Sequence, residues 1–146
     1  GGHVQDGVAE CSRRVQEQVE ILGRNNKDMM RYDVSTSFRG FFWYPPRGFD
    51  SWHTDGSLAQ GWRIYLIDPD PRVEAGASYL AFKDRASGKF ERVSDSASHF
   101  NMFEVSATAP LWHAVASEQG HRLSVGIAIS DQMAATILHR LRTLKK

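Results

Sequence analysis

The stretch Phe100 to Ile129 reads FNMFEVSATAPLWHAVASEQGHRLSVGIAI. It holds three runs rich in aromatic and β-branched residues, Phe100 to Val105, Pro110 to Ser117 and Arg122 to Ile129, and Gln119-Gly120 supplies turn chemistry between the last two. Working outward, similar runs precede it at Ser37 to Tyr44, Gly61 to Ile67, Ser78 to Phe82 and Phe90 to Val93. Pro45-Pro46-Arg47-Gly48, Asp68-Pro69-Asp70-Pro71 and Ser87-Gly88 break them apart. Seven or eight short strands separated in this way predict a mainly β domain, a sandwich or a barrel. The segment Trp62 to Ile67 is nearly all bulky, so that strand is expected to be covered on both faces.

The flanks change period. Val4, Val8, Cys11, Val15, Val19 and Leu22 form one stripe of an amphipathic helix over about 4–22, ending near Gly23. At the other end, Ser130 is placed to cap a helix over about 131–144, with Asp131 in its first turn. Met133, Ile137, Leu141 and Leu144 share one face of it, and Lys145 and Lys146 follow its end. Both helices need an apolar surface, and the simplest arrangement rests them on one sheet whose other face lines the interior.

A chain of 146 residues is expected to be one domain (1–146) with a β core at about 38–130. Eighteen Lys+Arg against 17 Asp+Glu give a net charge of +1, which offers no broad field for nucleic acid or an anionic membrane. The lone Cys11 cannot form an internal disulfide. The first residues lack an apolar leader core, and no run approaches the length of a membrane span. A cytoplasmic protein is therefore expected.

The chemistry begins at His53 and Asp55. Two residues apart at the end of an extended segment, they point the same way. His113 lies 58 residues beyond Asp55 in a strand-like run, which lets the chain return across a barrel and present a third donor. Two imidazoles and one carboxylate on one face of an octahedron are the non-heme Fe(II) arrangement that leaves positions open for other ligands. Nine residues further on, Arg122 and Ser124 share a strand face. A guanidinium fork can hold a carboxylate bidentately, and the hydroxyl adds a donor. With Val125, Ile127 and Ile129 following it, Arg122 would sit in an apolar interior and be costly without an anion, and a dicarboxylate is the partner expected. His99, His121 and His139 have no partner at metal-ligand spacing and are assigned no role.

Phe42-Trp43-Tyr44-Pro45-Pro46 through Trp52-His53-Thr54-Asp55, then Trp62 to Leu66, Leu111-Trp112-His113 and Arg122-Leu123-Ser124, resemble the 2-oxoglutarate- and Fe(II)-dependent dioxygenases, particularly the prolyl-hydroxylase-like branch. The resemblance covers roughly residues 38 to 130. It implies a double-stranded β-helix, or jelly roll, with supporting N- and C-terminal helices. It implies iron ligation by His53, Asp55 and His113, and a salt bridge from Arg122 to the distal carboxylate of 2-oxoglutarate, with Ser124 beside it. Tyr65 would donate its hydroxyl to that carboxylate and Tyr44 would lie near the co-substrate. Collagen-type members use Lys where Arg122 stands, which argues against a collagen-like substrate.

The reaction so implied consumes O2 and 2-oxoglutarate, hydroxylates a C–H bond of a small-molecule or peptide substrate, and releases succinate and CO2. A halogenase needs an open position where Asp55 stands. Arg63, Trp52 and Trp43 are candidate substrate-contacting residues near the mouth, and Arg47 and Phe49 could join them. Two other classes stay open. One is a cupin-like jelly-roll module that binds metal without turnover; the other is a metal-free interaction domain, which would leave Arg122 unexplained.

Overall fold

A computed structural model describes residues 38–55, 59–96 and 99–144. Eight strands and one helix follow in order: β1 Phe38–Tyr44, β2 Phe49–His53, β3 Gly61–Pro69, β4 Ser78–Lys83, β5 Phe90–Ser94, β6 His99–Val105, β7 His113–Ser117, β8 Arg122–Ile129 and α1 Asp131–Leu144. The expected mainly β domain is present. The stripe at 4–22 lies outside the described residues. No helix among the described residues is long and apolar enough to cross a membrane.

The strands form two antiparallel four-stranded sheets, ordered β1-β8-β3-β6 and β2-β7-β4-β5. Six of the seven connections between consecutive strands carry the chain from one sheet to the other, and only β4 and β5 are neighbours in sequence and in the same sheet. Side chains from both sheets therefore converge on the space between them.

Period two sorts the first sheet into two faces. Ile64, Leu66, Val125, Ile127 and Ile129 pack with Met133, Ala134 and Ile137 of α1, and Trp62, Phe41, Phe100 and Met102 close around them. Arg63, Tyr65, Ile67, Arg122 and Ser124 take the opposite face and line the interior. Arg122 is buried on the interior as expected, but Val125, Ile127 and Ile129, which follow it, do not line that interior, because odd-numbered positions of β8 face the helix and even-numbered ones face inward. β3 is covered on both sides, as its bulk required.

Helix α1 begins as its sequence dictates. Ser130 Oγ accepts a hydrogen bond from the Met133 N–H at 3.1 Å, and Asp131 sits in the first turn. The packed stripe stops at Ile137. Leu141 is exposed and Leu144 is 81% exposed, so the last two expected contacts lie past the edge of the surface that the helix covers.

At one end of the molecule Asp70 ties two loops together. Arg72 donates to it through Nε at 2.9 Å and Nη2 at 2.8 Å and through its backbone N–H at 3.0 Å, and the His121 N–H adds a longer bond at 3.3 Å. These donors, the Arg72 side chain foremost, hold the Asp70 carboxyl well below the usual carboxylate range. A depressed carboxyl contributes stability above its unfolded value and loses it as pH falls, because the unfolded chain takes up a proton that the folded site refuses. Asp70→Asn is expected to lower the melting temperature at neutral pH and to flatten the fall in stability below about pH 4, measured as melting temperature against pH.

Candidate metal centre

His53 is the last residue of β2 and His113 the first of β7, and the two face each other across the ladder. Their ring centroids lie 4.3 Å apart. His53 Nδ1 lies 2.6 Å from the Ser51 carbonyl and His113 Nδ1 lies 2.9 Å from the Leu111 carbonyl. A carbonyl only accepts, so both Nδ1 atoms carry the proton and donate it. That leaves each Nε2 as the ring nitrogen available to a metal.

Asp55 receives them. One carboxylate oxygen is 3.6 Å from His53 Nε2 and the other is 3.6 Å from His113 Nε2. The three donor atoms lie within 4.8 Å of one another. Neighbouring donors around an ion at roughly 2.0–2.2 Å would stand about 3 Å apart, so small side-chain rotations close the set. Burial pushes the His113 imidazolium below its ordinary range, while its backbone partner and Asp55 oppose the shift less strongly. His113 is therefore neutral at physiological pH, the form that ligates. Two imidazoles fixed by their outer nitrogens and one carboxylate suit iron(II).

Asp50 was not foreseen. Its carboxylate lies 3.7 Å from His53 Nε2 and lines the same cavity. Positions 50 and 53 would point to opposite faces of a regular strand, but the β2 register shifts between them and turns both inward.

The cavity holds about 420 Å³. Tyr65 stacks on Phe103 with centroids 5.4 Å apart and planes 10° apart. Burial, with a smaller contribution from Asp55, pushes the Tyr65 phenol up to about 12, so it remains a donor. Opposite it in the ladder is Gly126, where an added Cβ would lie 2.6 Å from the ring. Gly126→Ala is expected to cost about 1–3 kcal/mol by overpacking and to displace Tyr65. Chemical denaturation would measure the loss, and Tyr65 ring resonances would report the displacement. Tyr44 and Ser124 also line the cavity, and burial raises the Tyr44 phenol.

Arg122 is buried on the interior face and lines the cavity, but its anionic partner is part of the protein. Asp95, the residue after β5, accepts from Arg122 Nε at 2.6 Å and from Nη2 at 3.4 Å. The expectation that a bound dicarboxylate must neutralise Arg122 is corrected by this pair. One edge of the guanidinium is engaged. Nη1 takes no part in this pair.

The aromatic candidates for substrate contact do not join this site. Trp43 is 55% exposed and Trp52 44% exposed, and neither lines the cavity. Trp52 packs edge-on against Phe90 on the outside of the second sheet, at 5.3 Å. Arg47 and Phe49 line a separate surface depression on that side. Arg63 alone of the three substrate candidates reaches the interior.

Comparison with protein-family models, curated proteins and solved structures found no match to this chain.

Proposed function

We propose that this chain is a 2-oxoglutarate- and O2-dependent Fe(II) oxygenase of double-stranded β-helix, or jelly-roll, fold that hydroxylates a C–H bond. The strand orders β1-β8-β3-β6 and β2-β7-β4-β5 support the fold. One observation carries the function: two Nε2 atoms and a carboxylate meet within 4.8 Å, with both Nδ1 atoms tied back to carbonyls, on the wall of a cavity that also contains Arg122.

Iron(II), when bound, would supply the redox capacity by which dioxygen is reduced as 2-oxoglutarate loses CO2 to become succinate. The residues do the rest. His53, Asp55 and His113 would hold the ion. Arg122, through the guanidinium edge that Asp95 leaves unbonded, binds the far carboxylate, and the Ser124 and Tyr65 hydroxyls donate to it. Ile67, Leu80, Phe103 and Val115 wall the cavity and exclude water.

A second reading is favoured by the Arg122–Asp95 pair. Because Asp95 already neutralises Arg122, that residue no longer argues against a cupin-like module that binds metal without turnover. Anaerobic titration of the protein with Fe(II), then 2-oxoglutarate, separates the two by the weak visible absorption of the chelate. The oxygenase reading expects the band in the intact protein and its loss in Asp55→Ala. Arg122→Lys should need about tenfold more 2-oxoglutarate, since one charge-assisted hydrogen bond contributes about 1.5–3 kcal/mol. Metal binding with no response to 2-oxoglutarate would establish the module.

A further inference from the structure

We propose that the substrate of this site carries a carboxylate and that Arg63 binds it. The inference rests on the reading of the cavity as an oxygenase site, and it names the class of molecule that the site accepts.

Arg63 is 3% exposed, on the inner face of β3, in the same cavity as the metal donors. Its guanidinium donates through Nη1 to the Trp62 carbonyl at 3.1 Å and through Nη2 to the Ala59 carbonyl. Carbonyls fix its orientation without neutralising it. A buried cation that lacks an anion is expensive, so such groups are paired or await a charged ligand.

The buried acids among the described residues are committed elsewhere. The buried aspartates are Asp70 and Asp95, and they pair with Arg72 and Arg122. Asp55 and Asp50 face His53, and Asp55 also faces His113. No carboxylate among the described residues forms an ion pair with Arg63. The other buried arginine, Arg122, has its acid; Arg63 does not.

Position separates this cation from the co-substrate end. Arg63 is in register with Phe103, whose ring lies 5.3 Å from that of His113. Arg122 is in register with Pro69, six residues further along β3, or about 20 Å of strand. An anion at Arg63 is therefore a different group from one at Arg122, and it lies at the metal end, where the oxidised C–H bond must be. The guanidinium fork suits a carboxylate. A single cation balances a monoanion, and the Asp50 and Asp55 carboxylates that line the same cavity disfavour a phosphate dianion.

The test is calorimetric titration of the metal-loaded protein under argon with 3-phenylpropionate, its amide and phenyl phosphate, each with and without saturating 2-oxoglutarate. The acid is expected to bind at least about tenfold more tightly than the amide, to be preferred over the phosphate, and to be undisturbed by 2-oxoglutarate. Arg63→Gln should remove the preference for acid over amide, and Arg63→Lys, the milder change inside the fold, should reduce it. No acid binding, equal binding of acid and amide, a preference for phosphate, displacement by 2-oxoglutarate, or a preference that survives both variants would overturn the proposal. The titration without 2-oxoglutarate uses neither co-substrate nor dioxygen, so failure of the oxygenase reading, seen in the chelate band, is a separate result.

Discussion

Asp55→Ala is expected to weaken Fe(II) binding by about 100-fold or more, since loss of a mere outer partner of a ligand already costs roughly 10–100-fold. The two imidazoles keep their carbonyl anchors from Ser51 and Leu111, so the remaining site is intact but short of the carboxylate that both Nε2 atoms face. The metal-free variant should unfold close to the unmodified protein, because Asp55 sits 3.6 Å from imidazoles of which at least the buried His113 is neutral. The difference appears on adding metal. At a concentration 100 times the dissociation constant, an ion that binds only the folded state stabilises it by about 2.7 kcal/mol, and the variant should show almost none of this at the same concentration. Thermal unfolding with and without Fe(II) under argon measures both quantities.

The largest effect on stability is expected from Asp95→Ala. Removing one partner of a buried pair leaves the other as an uncompensated charge, at a cost of about 3–5 kcal/mol. For a domain of this size the melting temperature should fall on the order of 10 °C. Asp95→Leu combined with Arg122→Met, which removes both charges, should be far less damaging by the same reasoning. If Arg122 also binds 2-oxoglutarate, that ligand with metal should restore much of what Asp95→Ala loses, whereas a non-binding dicarboxylate site would leave the variant unimproved. Thermal melts of the single and double variants, with and without ligand, decide this.

How much of this was legible depended on whether a feature is local. The strand runs could be read because aromatic and β-branched residues gather between Pro, Gly and Asp breaks, and all seven runs became strands within a few residues of their expected ends. β2 was not among them. Phe49–His53 carries Asp50 and Ser51, and only its ladder with β7 makes it a strand. His53 and Asp55 could be paired from period two, and Arg122 with Ser124 likewise. Asp50 could not, because a register shift rather than a regular strand brings it beside His53.

Asp95 was invisible for another reason. Arg122 lies 27 positions beyond it and nothing in the intervening sequence marks the contact, which arises only when the β5–β6 crossing meets the start of β8. The sequence correctly required an anion for a buried Arg122 but could not say that the protein provides it. Trp43 and Trp52 were misplaced because a tryptophan suits an exposed sheet face and a cavity wall equally well; the strand parity that decides between them depends on bulges that no local pattern reveals.

The claim on which the rest depends is that one divalent metal sits between His53, Asp55 and His113. Anomalous diffraction from crystals grown with Mn(II), collected at the manganese edge, tests it directly. The account expects one peak, within bonding distance of both Nε2 atoms and the Asp55 carboxylate. A peak on other residues, or none at saturating Mn(II), would contradict it.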